Sequence, residues 1–148
     1  MSELADDYQK LTDFLLVHAS GVLESGEHLL PAAAAIGIDG GLTAMAAAPE
    51  TFPYGYPDDV ERMLIQGLRI GVKSGEYRAT GIALELRELR RDGSPTVPAI
   101  KLILESRAGL PANLYQPFKR RWFRKPKYET NFIGVGRAVV FDDSVELS

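Results

Sequence analysis

The 148 residues contain no cysteine, one tryptophan and two histidines. Without cysteine there are no disulfides, thiol nucleophiles or cysteine-based zinc sites, and two imidazoles are too few for a histidine-rich metal site. No apolar run approaches the roughly 20 residues that cross a bilayer, and the chain does not open on a basic stretch followed by an apolar one. The expectation is a cytoplasmic protein without a membrane partner. Excess charge is missing as well: 17 Lys and Arg stand against 20 Asp and Glu, a net charge of -3, so the molecule as a whole has no field that draws it to a polyanion. Motifs of common chemistry are also missing. Gly-x-Ser-x-Gly, Gly-x-Gly-x-x-Gly and Gly-x-x-x-x-Gly-Lys-Ser/Thr do not occur, so neither a nucleophile elbow nor a phosphate loop can be read. No cofactor is implied.

What is present describes an ordinary globular chain, 45% hydrophobic and 25% charged. At this size folding hides roughly 68–70% of the chain's surface, enough for a core without staples. With no repeat or low-complexity linker, residues 1–148 read as a single domain. Leu4, Tyr8, Leu11, Leu15, His18 and Val22 recur at steps of three and four, the spacing of a helix with one face on a core. Ser2 is its expected cap and Gly26 its stop. The alanine-rich run 29–36 has helical composition, but Pro31 and the following Gly37, Asp39, Gly40 and Gly41 make strand, Asp-Gly turn, strand the better reading. After a Pro-rich connection at 48–57, Val60, Met63, Leu64, Leu68 and Val72 again follow helical spacing, with Gly75 as the stop. Gly67 and Gly71 lie on one face of that helix, where missing side chains permit close approach to the alanine-rich strands.

Beyond residue 76 the period changes to two. Ile82, Leu84 and Leu86 alternate with Ala83, Glu85 and Arg87, and Ile100, Leu102 and Leu104 with Lys101, Ile103 and Glu105, as strands with inward and outward faces do. Asp92-Gly93 and Gly109-Leu110-Pro111 supply the expected turns, 112–118 a third strand, and 134–141 a further one. The expected order is α-β-β-α-β-β-β-β. This is an α+β domain with a single, mostly antiparallel sheet of 5–6 strands, a hairpin plus a meander, covered by two amphipathic helices.

Gly26-Glu27-His28-Leu29-Leu30-Pro31-Ala32-Ala33-Ala34 with the later Asp39-Gly40, then Ala99 to Glu105, then Leu114-Tyr115-Gln116-Pro117-Phe118, resemble the pattern of a family of small bacterial proteins. That resemblance implies the α+β architecture and a bacterial intracellular setting, and it carries no activity or catalytic residue. The element order is also similar to that of profilin-like and roadblock- or longin-like domains, although the last segment here reads as strand where those end in a helix.

Charge is polarised along the chain: residues 1–28 hold six acids and one base, and 119–127 hold six bases and no acid. The basic stretch is interleaved with rings, which makes Tyr115, Phe118, Lys119, Arg120, Arg121, Trp122, Phe123, Arg124, Lys125 and Lys127 the candidate interaction surface. Arginines and aromatics concentrate binding energy at protein contacts, and opposite charges at the two ends suit a two-fold assembly. The preferred expectation is a non-catalytic protein-interaction domain acting as a homodimer, its arginines meeting the chain's own acids or those of a second copy. The same residues combine phosphate attraction with stacking platforms, so a single-stranded nucleic acid is the alternative partner. A third reading is a small-molecule pocket near His28, which lies beside Glu27. Asp58, Asp59 and Glu61 suggest cation ligands, but acids at a helix start are already explained by the helix dipole.

Overall fold

The computed structural model describes residues 3–46, 57–91, 94–121 and 124–141. Ser2, most of the 48–57 connection, the Asp92-Gly93 turn and the residues after Phe141 lie outside them. The elements are α1 (Glu3–Glu24), β1 (Ala32–Gly37), β2 (Leu42–Ala46), α2 (Pro57–Lys73), β3 (Tyr77–Arg91), β4 (Ser94–Ser106), β5 (Gly109–Arg121), β6 (Arg124–Tyr128) and β7 (Phe132–Val135). All strand pairs are antiparallel, in the order β2-β1-β3-β4-β5-β6, with β7 also on β5. The α+β architecture and its element order are as the sequence indicates. The sheet has seven strands rather than 5–6 because part of the basic stretch forms β6.

The run 32–36 forms a strand despite its alanines because the hairpin turn is built in. Gly40 adopts φ +89°, and the Asp39 carboxylate accepts the Gly41 N–H at 2.9 Å. Small side chains then let both sheet faces be covered. Ala34 and Ile36 join Leu11, Leu15, Ala19 and Leu23 of α1, whereas Ala33 and Ala35 join Val60, Leu64, Leu68 and Val72 of α2. Successive strand residues point to opposite faces, so the helices sandwich the sheet. The strands β1 and β3 carry α2. Gly67 and Gly71 do permit close packing, though against Met45 and the Tyr77 ring rather than the alanines.

The buried positions of α1 step by four: Asp7, Leu11, Leu15, Ala19 and Leu23. Each such step advances about 40° beyond a full turn, so the stripe winds around the helix and follows the twisted sheet. This moves His18 out of the expected core face and into an exposed position. It also buries Asp7, whose charge is met by the Arg78 fork, Nε to Oδ2 at 2.8 Å and Nη2 to Oδ1 at 2.9 Å.

Two boundaries differ from expectation. The β4–β5 turn is Arg107-Ala108, fastened by the Ala108 N–H on the Ser106 hydroxyl at 3.1 Å, and 109–111 already belong to β5. The last strand among the described residues is β7 at Phe132–Val135, not 134–141. At Gly136 the chain crosses β5 so closely that a Cβ would come within 2.9 Å of the Ala112 nitrogen. Beyond it, Glu105 accepts the N–H groups of Val139, Val140 and Phe141. Pairing with side chains rather than a neighbouring strand ends the ladder there.

Candidate interaction surface

The basic stretch is not a loop. β5 runs on to Arg121 and β6 returns from Arg124, with Phe118 opposite Tyr128 and Lys119 opposite Lys127. Trp122 and Phe123, between the two strands, lie outside the described residues. Phe118 must be removed from the surface set: it is fully buried in the α1 cluster, with its ring 6.3 Å from that of Tyr128. The alternation explains this, because Phe118 shares a parity with Leu114, which faces α1.

The same parity turns Arg120 toward the α1 side, where it meets Glu85 at 3.3 Å and the Glu27 carbonyl at 3.3 Å. Glu85 is an anchor. Its side chain is 9% exposed, and it accepts the Leu29 N–H at 3.1 Å and lies 2.8 Å from His28 Nδ1. Arg120 also approaches that nitrogen, at 3.3 Å. One nitrogen cannot both donate to the carboxylate and accept from the guanidinium, so the shorter contact makes Nδ1 the donor and Arg120 the ion-pair partner of Glu85. Lys125 lies 3.8 Å from Glu24, and Arg121 Nε donates to the Lys125 carbonyl at 3.0 Å. Lys125 thus meets an acid at the end of α1, whereas Arg120 meets Glu85 of β3 and, just past α1, only the backbone carbonyl of Glu27. Lys119, Arg124 and Lys127 are exposed, with no acid partner among the described residues.

Tyr115 faces the other side of the sheet. Its ring stacks on Phe132 of β7 with centroids 5.2 Å apart, and Lys101 lies 6.0 Å over it. β6 and β7 follow one another along the outer edge of β5. Apolar exposure concentrates on β7: Phe132 is 40%, Ile133 70% and Val135 97% exposed, with Leu110 of β5 at 85%. The uncharged run Phe132-Ile133-Gly134-Val135 is the sequence signal for this edge, but the strand expected at 134–141 takes in only its last two residues.

The third reading of the sequence is a small-molecule pocket near His28. A cavity of about 370 Å³ is present there, lined among others by His28, Pro31, Asp58, Glu61, Glu85 and Arg87. Burial pushes the Glu61 carboxyl up, Asp58 adds to the rise, and Lys101 opposes it. Glu85 is already held by its donors. Among the described residues no group of three His, Asp or Glu is arranged to hold a metal ion, and no helix is long and apolar enough to cross a membrane.

No family model matches the chain, and neither does any curated protein or solved structure.

Proposed function

We propose that the chain is a non-catalytic interaction domain that works as a homodimer, joined along the edge formed by β6 and β7. The observation that carries this reading is the exposure of Ile133 and Val135 on a strand paired on one side only among the described residues. Edge strands are normally blunted by charge, proline or cover, because their free N–H and C=O groups template another strand. β7 has none of these within its four residues. A second copy suits it because antiparallel pairing about a two-fold axis satisfies both strands at once, and an uncharged strand meets its own copy without repulsion.

Charge agrees with that symmetry. α1 begins where β5 begins, with Tyr8 donating to the Leu110 carbonyl, and it ends beside the basic hairpin. Turning one protomer about the β7 edge brings the exposed cations Lys119, Arg124 and Lys127 toward the end of the partner at which Glu3 and Asp6 start its helix. This gives an apolar centre with a charged rim. Light scattering of the full chain at high micromolar concentration is expected to give about twice 16.2 kDa, and Ile133→Lys with Val135→Lys is expected to give the monomer. A wild-type monomer at that concentration, or a double variant that stays dimeric, removes this reading.

The cavity at His28 favours a second reading, a pocket for a small organic cation. Asp58 and Glu61 bring two carboxylates to a wall that also carries Glu85, already paired with Arg120, and Arg87. Saturable heat with a diamine such as putrescine, lost in Glu61→Gln, supports it, and no heat at low salt removes it.

A further inference from the structure

A second cavity, of about 480 Å³, opens between the last turn of α2, the β4–β5 turn and the returning segment 136–141. Its size falls within the range of ligand pockets, and Val72, Pro111, Val140 and Phe141 give it apolar walls. Among the described residues its charged lining is one-sided: Arg69, Lys73 and Arg107 contribute three cations, and Glu105 is the one acid.

The partners of these groups set the balance. Glu105 is 1% exposed, and its carboxylate is occupied by the amide N–H groups of Val139, Val140 and Phe141 at 3.0–3.1 Å. Arg69, only 8% exposed, spends Nε and Nη2 on the carbonyl of Val139. Arg107 gives Nη2 to the carbonyl of Val72. Both guanidinium groups are therefore fixed by neutral acceptors, and neither is paired with a carboxylate among the described residues. Capping of the α2 terminus accounts for Arg107 and Lys73. It does not account for Arg69, a nearly buried charge held on a carbonyl of a different segment, where Glu105 on the same wall is taken up by amides and no carboxylate is in direct contact among the described residues, a costly arrangement.

We infer that this cavity binds a small organic anion, a carboxylate with an apolar body. The oxyanion meets the free part of the Arg107 fork and Lys73, over the fixed charge of Arg69. The body lies against Val72, Pro111 and Phe141. Arginine suits the task because its planar fork matches a carboxylate.

The probe is phenylacetate, titrated into the full ¹⁵N-labelled chain, with benzyl alcohol as the uncharged control. Saturable shifts at the amides of Gly109, Val139, Val140 and Phe141, given by phenylacetate alone, are expected. Arg107→Gln and Lys73→Gln, both at exposed positions, each weaken the affinity about tenfold, the usual loss for a charge-assisted hydrogen bond. Asp142 and Asp143 follow Phe141 in the sequence and carry the same kind of charge as the ligand. The chain with both changed to Asn is the second arm, and tighter binding there supports the site. No saturable shift at those amides in either chain, equal shifts with benzyl alcohol, or unchanged affinity in both Gln variants overturns it.

Discussion

The Val140 amide nitrogen lies 3.0 Å from both carboxylate oxygens of Glu105, although 35 residues separate them in the chain. Val139 and Phe141 turn their own N–H groups to the same carboxylate, so three consecutive amides form a concave anion seat. This seat places Val140 in the α2 core and sets the Val139 carbonyl for Arg69. Glu105→Gln keeps the shape and an oxygen for the three N–H groups on Oε1 but loses the charge and turns an amide donor toward the Val140 N–H, the one that also reaches Oε2. The expected cost is about 2–4 kcal/mol, within the range for a buried, charge-assisted network. Urea unfolding measures it, and hydrogen exchange at Val140 accelerates beyond the global change. An unchanged midpoint would show that the seat forms without its anion.

Gly67 and Gly71, one turn apart on α2, separate two effects of the same substitution. Alanine in a helix interior gains about 1 kcal/mol over glycine. At Gly67 the added methyl meets, among the described residues, only Met45 Cε, at 2.9 Å, the end of a flexible side chain that can swing away. At Gly71 it lands 2.2 and 2.3 Å from two carbons of the Tyr77 ring, an overlap of the kind that costs about 1–3 kcal/mol. Gly67→Ala is therefore neutral or up to about 1 kcal/mol stabilising, while Gly71→Ala is destabilising. Thermal melts of the two variants check the contrast, and equal melting temperatures would mean that the Tyr77 ring yields as easily as a methionine end.

Most of the fold was legible because period and punctuation agree in this chain. The Asp39-Gly40 turn overrode the helical composition of 32–36, and Gly26 and Gly75, both at positive φ, follow the two helices. The site was less legible. Six cations in nine residues look alike in one dimension, and only strand parity tells that Arg120 pairs with Glu85 while Lys119 has no acid partner among the described residues. Parity likewise sent Phe118 inward, which nothing local in a run of basic and aromatic residues announces. Asp7 and Glu105 read as ordinary surface acids because their partners, Arg78 and the 139–141 amides, are far along the sequence. Long-range pairing of a buried charge leaves no local signature.

Glu61 gives the chain a pH dependence opposite in sign to that of a salt-bridged acid. Burial, and next Asp58, raise its pKa in the folded state, with Lys101 partly offsetting them. A group that binds its proton more tightly when folded contributes most stability below the unfolded carboxylate pKa, about 4.3. That contribution falls as pH climbs through the window up to the raised folded value, and the penalty is constant above it. Glu61→Gln removes the penalty. The variant melts higher than wild type at pH 7, and the two curves converge below about pH 4. Solvent reaches much of the side chain, so screening holds the gain to about 0.5 kcal/mol. Lys101→Gln acts in the opposite direction, raising the Glu61 pKa further and lowering stability at neutral pH. A Glu61→Gln chain that melts lower at pH 7 would mean that the carboxylate contributes more through its contacts than crowding with Asp58 costs.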